Sequence, residues 1–185
     1  MAYRKLLVRV SQAALIVFLS VAGSSWAQTQ NLQVTTHVKE SCTITLPVDL
    51  TFGDYNPLSG TALTTNGSVT LTCTKGSNGV TLGVGTGLHS AGSQRNMLGT
   101  VGAENLAYNL FQPDVVGATG VTTGTAFDGT STAPGAFAVP AAAFATGSTA
   151  VLVKIFGSIP INQDVTGQSG AGNAFTDTVV ATVYF

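Results

Sequence analysis

An all-β antiparallel sandwich or barrel is the fold class that this sequence predicts, and three observations predict it. Short runs alternating apolar and polar residues recur along the chain, each bounded by a cluster of Gly, Pro, Asn, Asp or Ser. Thr and Val, which suit a pleated strand, are plentiful, and Gly and Ser supply turns. Beyond the first 27 residues no stretch carries a sustained Leu/Ala/Glu/Lys helical pattern.

Residues 1–27 read as an export signal. Arg4, Lys5 and Arg9 form a basic start, Ala13 to Ala22 an apolar run, and Ser25-Trp26-Ala27 a small-x-small cleavage site. The run is shorter than the roughly 20 residues a membrane-spanning helix needs. Cleavage before Gln28 leaves 158 of the 185 residues, enough for one domain with a sizeable core. Four basic residues, Lys39, Lys75, Arg95 and Lys154, then face eight acidic ones, a net charge of −4. That balance, with no Lys/Arg cluster, argues against nucleic acid and anionic membranes as partners.

The elements follow in order. Residues 30–39 alternate Leu32, Val34, Thr36 and Val38 against Gln33, Thr35, His37 and Lys39, the pattern of a strand with one buried face. After Glu40-Ser41 the alternation resumes at Cys42-Thr43-Ile44-Thr45-Leu46 and stops near Pro47. Leu50-Thr51-Phe52 is short and runs into the turn cluster Gly53-Asp54-Tyr55-Asn56-Pro57. Asn66-Gly67 reads as a turn before the strand Ser68–Cys73, and Asn78-Gly79 as a hairpin turn between that strand and Val80–Val84. Gly85 to Gly102 reads as loop, Leu106 to Phe111 as strand, and Gly117 to Ala150 as one or two marginal strands in long loops. Ala150 to Phe156 is a strand, Ser158 to Ala174 a loop. Thr176 to Phe185 is a final strand with Val179, Ala181, Val183 and Phe185 on one face.

Cys42 and Cys73 are the only cysteines, and an even count in an exported chain predicts a disulfide. Closing the 31-residue span between them would stabilise by roughly 3–4 kcal/mol on the chain-entropy account. A zinc site or nucleophilic cysteine is the rival reading, but His37 and His89 are the only histidines and neither has finger-like spacing.

Enzyme chemistry finds little support. Gly83-Val84-Gly85-Thr86-Gly87 lacks the strand-to-helix context of a nucleotide loop. Asp49 and Asp54 could form a carboxylate pair but lack supporting groups. His37 and His89 read as solvated side chains, and Asp177 as a loop cap. Asn66-Gly67-Ser68 matches a glycosylation sequon but is explained by its turn. Neither a metal nor an organic cofactor is expected, and no catalytic residue is assigned.

Several blocks together resemble the spore coat protein U family, which includes archaic chaperone–usher pilins. They are Val38-Lys39-Glu40-Ser41-Cys42-Thr43-Ile44, Phe52-Gly53-Asp54-Tyr55, Val69-Thr70-Leu71-Thr72-Cys73, Leu106-Ala107-Tyr108-Asn109-Leu110-Phe111, Ile155-Phe156-Gly157-Ser158-Ile159-Pro160 and Asp177 through Phe185. They occur in family order over nearly all of the mature chain. The Gly117–Ala150 stretch departs from the pattern in its excess of Ala and Thr.

The resemblance implies an incomplete immunoglobulin-like antiparallel sandwich completed by donor-strand exchange. It implies a periplasmic chaperone, an outer-membrane usher and neighbouring pilin subunits, in a homo- or hetero-polymer, as partners. The implied destination is the cell surface, in a pilus that supports adhesion and biofilm formation. On that reading 28–41 is the donor segment, with Leu32, Val34, Thr36 and Val38 as its inserting face, and 42–185 is the pilin-like domain. Val179, Ala181, Val183 and Phe185 then line the strand offered to the chaperone. The alternatives are a coat or matrix protein outside any pilus, a lectin-like sandwich secreted alone, and a secreted hydrolase. A lectin would want exposed aromatics, and the one tryptophan, Trp26, lies in the signal.

Overall fold

The computed structural model describes residues 26–120, 124–147, 149–167 and 172–185, with backbone alone for Leu46 and Pro47. The export-signal reading therefore falls almost wholly outside the described residues. The chain divides into two units, 1–37 and Val38–Phe185. In the first, residues 26–37 are exposed and form no regular secondary structure.

In the second unit β-structure dominates, and the all-β reading holds. The strands are β1 (Cys42–Val48), β2 (Leu63–Cys73), β3 (Thr81–Val84), β4 (Arg95–Gly99), β5 (Asn105–Phe111), β6 (Phe137–Ala138), β7 (Ala150–Ile159), β8 (Phe175–Thr176) and β9 (Ala181–Tyr184). One short 3-10 turn covers Ala141–Phe144. The strands build a six-stranded sheet in the order β1-β2-β7-β5-β4-β8 and a three-stranded sheet in the order β6-β3-β9. Every pairing is antiparallel.

The alternation of apolar residues explains the core. Val69, Leu71 and Cys73 of β2, Val151, Val153 and Ile155 of β7, and Leu106, Tyr108 and Leu110 of β5 point to one side of the larger sheet. Val80 and Leu82, at and before β3, pack with them, together with Phe127 and Phe144 from the loops.

Cys42 and Cys73 are directly paired across β1 and β2 and are disulfide-bonded, with Cα atoms 4.1 Å apart. The bond fixes the start of β1 to the end of β2, as the sequence led one to expect.

Five local expectations are corrected. Residues 30–39 are exposed and are not in a strand. Asn66-Gly67 is not a turn but the middle of β2, paired with Phe156 and Ile155. Asn78-Gly79 does not close a hairpin. Both edges of β2 are already occupied, by β1 and β7, so the chain after Gly79 crosses to the other sheet. The 85–102 loop contains β4, whose Arg-Asn-Met-Leu-Gly sequence hides its strand character behind polar residues. The last strand is interrupted, pairing first with β4 through β8 and then with β3 through β9.

Candidate functional site

The blocks read from the sequence meet in space. Phe52 lies over β7 where Gly157 leaves no side chain: a Cβ there would come within 2.6 Å of the Phe52 ring. Leu50 lies likewise over Gly67 of β2, where a Cβ would meet it at 2.8 Å. Two glycines on adjacent strands thus make a trough that seats the arm 50–52. The Tyr55 hydroxyl donates to the Pro160 carbonyl at 2.8 Å and accepts from the Gln163 N–H at 3.2 Å. The Gln163 side-chain amide in turn bonds both the N–H and the C=O of Ala107, at 2.6 and 2.8 Å. The Phe-Gly-x-Tyr and Gly-x-Ile-Pro motifs are therefore two halves of one contact.

This arm and the terminal segment 175–181 border an open groove over the larger sheet. One cavity of about 450 Å³ is bounded by Leu50 and Phe52 on the arm, Val69 and Ile155 on the floor, and Val179 and Ala181 on the terminal segment. A second, of about 640 Å³, shares Leu50, Phe52, Met97 and Phe175 with it and extends to Leu106, Ile159 and Val165. The edge-to-face contact of Phe52 with Tyr108, ring centres 6.3 Å apart, forms part of the floor.

Two edge strands also contribute to the lining of the first cavity, β1 through Val48 and β9 through Ala181. β1 is the outermost strand of the larger sheet and β9 of the smaller. Val179, Ala181 and Val183 pack partly buried against the core, while Phe185 is 57% exposed beyond them. Leu32, Val34 and Val38 are 88%, 84% and 85% exposed, and Thr36 is exposed as well.

One polar cluster sits at the groove. The Asp177 carboxylate accepts from the N–H groups of Leu88 and His89 at 3.0 and 3.2 Å, from His89 Nδ1 at 3.1 Å, and from the Tyr108 hydroxyl at 2.6 Å. Its side chain is 3% exposed. Burial pushes its pKa up, but the donors of Tyr108, Thr178 and His89 outweigh burial and hold it below the usual carboxylate range. Burial raises the Tyr108 phenol, and the bond to Asp177 raises it further. Asp177 does cap a loop, as read, but it also ties that loop to β5. His89, read as solvated, is half-buried against it. Gly87 makes room for the carboxylate, since any Cβ there would overlap Asp177.

Arg95 went unnoticed in the sequence. Its guanidinium is buried and donates to the carbonyls of Gly85, Val84 and Phe127 at 2.8–3.0 Å. It pins β4 of one sheet to the end of β3 in the other. Burial lowers its pKa. It lies between Gln94 and Asn96 in a presumed loop, where a lone Arg carries no local signal of burial.

The groups weighed for catalysis do not assemble with these. Asp49 and Asp54 are exposed on the arm, and His37 is exposed in the first unit. Among the described residues no three His, Cys, Asp or Glu side chains are placed to hold a metal.

These features define an open-edged, disulfide-bonded β-sandwich with an apolar groove. The profile of the Spore Coat Protein U domain matches residues 28–182, and the chain belongs to that family. The family is associated with chaperone–usher pilus subunits and coat proteins, is not enzymatic, and is typically found at the cell surface or outside the cell. No curated protein matches the chain significantly.

Proposed function

We propose that this protein is a structural subunit of a chaperone–usher surface pilus, polymerising by β-strand donation and supporting adhesion and biofilm formation. One observation carries the reading: an apolar groove between the arm 50–52 and the terminal segment 175–181 coexists with an exposed N-terminal segment of matching period. In the proposal, residues 28–41 form the donor and 42–185 the receiving domain, after removal of a signal at 1–27. A periplasmic chaperone occupies the groove first, at Val179, Ala181, Val183 and Phe185, and the usher directs replacement by the next subunit's Leu32, Val34, Thr36 and Val38. Backbone bonds to the free edge supply affinity, and alternate side chains in the groove supply specificity. Burying the three aliphatic donors contributes roughly 5–9 kcal/mol before ordering costs.

The test is Val34→Asp combined with Val38→Asp. Each carboxylate would enter the groove unpaired, at a cost on the order of 1–3 kcal/mol or more. Polymer should disappear while the subunit still folds, because the domain itself is untouched. Leu71→Asp, at a fully buried position, should abolish folding instead. Wild-type amounts of SDS-resistant polymer from the double variant would refute the proposal.

A further inference from the structure

The sequence holds two Asn-Gly steps, Asn66-Gly67 and Asn78-Gly79, and the fold treats them oppositely. Both asparagines are exposed, so water reaches each side chain alike. Asn66 and Gly67 lie inside β2, paired across to Phe156 and Ile155 of β7. Gly67 is buried, with Leu50 packed over it. Asn78 and Gly79 instead form an exposed step between two fastened points. Before it, Ser77 is buried and bonds the Thr74 carbonyl through both its N–H and its hydroxyl. After it, Val80 is buried and its carbonyl accepts from the Val139 N–H. Gly79 has a φ of +70°, and nothing lies within 4 Å of where a Cβ would stand. Its N–H takes no part in the loop's backbone bonds. The Asn78 N–H donates to the Glu40 side chain at 3.2 Å. That bond joins two others, Thr74 N–H to the Ser41 carbonyl at 3.0 Å and Ser41 N–H to the Thr74 hydroxyl at 3.3 Å. Together they tie residues 40–41, just before β1, to the loop 74–78.

We infer that Asn78 is a self-modification site, and that the charge it gains loosens residues 40–41 from this loop. The Gly79 backbone nitrogen, on losing its proton, attacks the carbonyl carbon of the Asn78 side chain. A C–N bond forms, the bond to the side-chain amide nitrogen breaks, and ammonia leaves. Water then opens the cyclic imide at either carbonyl, leaving aspartate or isoaspartate at 78. Nothing is oxidised or reduced. Ring closure needs the peptide between the two residues to turn. Glycine at 79 has no Cβ to obstruct that turn, and the step lies outside any strand. At Asn66 the same turn breaks the pairing with β7, so reaction waits for β2 to open, which a core strand seldom does. The new carboxylate at 78 stands a few bonds from the N–H that Glu40 accepts, so like charges meet there. Isoaspartate also adds an atom to the backbone between the two fastened points.

The test incubates the disulfide-bonded protein in mildly alkaline buffer and maps its peptides with time. Asn78 should convert at least about 100-fold faster than Asn66, with aspartate and isoaspartate both formed. Equal rates at the two sites, or no conversion at Asn78, would overturn the site. The same protein unfolded in urea is the control, and there the two steps should react at similar rates. A contrast that persisted in urea would show that local sequence and not the fold sets it, and would overturn the argument. A second arm reads the consequence. Asn78→Asp should quicken amide exchange at Thr74, whose N–H bonds Ser41, by about 3-fold. Adding Glu40→Gln should return that exchange to the wild-type rate. Unchanged exchange in Asn78→Asp, or no recovery with Glu40→Gln, would overturn the coupling to residues 40–41.

Discussion

Replacing Arg95 by Met removes the guanidinium and keeps a stem of similar length. The cation reaches three carbonyl oxygens through four hydrogen bonds, bridging β4 to Val84 and Gly85 at the end of β3 and to Phe127. Tyr108, Asp128 and Asp177 act on it through space. In Arg95→Met three buried acceptors lose their donor, at about 1–3 kcal/mol each. Against that loss stands the relief of a buried charge, whose effective desolvation is several kcal/mol. The stem still packs, so little apolar contact is lost. The balance is a net destabilisation of about 2–4 kcal/mol.

Arg95→Lys separates the two contributions. An ammonium keeps the charge but is a compact point donor that cannot span three carbonyls as the planar fork does. It should be at least as destabilising as Met, because the charge stays buried with fewer bonds. The assay is urea unfolding of the disulfide-bonded protein, followed by near-ultraviolet circular dichroism. With a slope of about 2 kcal/mol per molar urea, the midpoint should fall by roughly 1–2 M for Met. A midpoint within experimental error of wild type for both variants would mean that the two sheets are not held together through Arg95.

Three further outcomes are expected. Cys42→Ser with Cys73→Ser should cost about 2–5 kcal/mol, read in the same unfolding assay, and an unchanged midpoint would show that the crosslink contributes nothing. Gly157→Ala should cost about 1–3 kcal/mol, since its methyl group meets Phe52 and must displace the arm 50–52; hydrogen exchange should quicken there first, and a wild-type exchange pattern would contradict the trough. The folded pKa of Asp177 lies below its unfolded value near 3.8, so the stability it contributes is complete above about pH 4 and lost as pH falls through the folded value. Asp177→Ala should therefore destabilise at pH 7 and make less difference in strong acid, and an equal effect at both would refute the charged role.

The fold was legible where burial writes a two-residue period. Val69-Thr70-Leu71-Thr72-Cys73 and Val151 to Ile155 alternate because one face of each meets the core. It was illegible where a strand is built by partners instead. β4 opens on two polar residues, yet Arg95 and Asn96 are buried because backbone carbonyls satisfy them, including that of His89 for Asn96. The glycines misled for a related reason. Asn-Gly usually signals a turn, but Gly67 is there to admit Leu50, a fact about tertiary contact that no local pattern carries. The motif blocks were visible individually. That Phe52 rests on Gly157 and that Tyr108 bonds Asp177 depends on strand order, which brings β5 and β7 together across some 45 residues of chain.

Scarcity of charge ties these features to assembly. Soluble β-proteins commonly blunt a free edge with outward lysines or a proline. The stretch 175–185 holds one charge, Asp177, and that carboxylate is turned inward onto His89 and Tyr108. Residues 28–36 carry none. Of the four basic residues after residue 27, Arg95 is consumed inside the sandwich. Two charge-poor, strand-prone segments in one chain, one at a free edge and one exposed, are a liability in a monomer because each templates pairing. They cease to be one if each covers the other in successive copies. The same absence of protecting charge that would endanger a free subunit is then what lets the polymer close every edge except those at its ends.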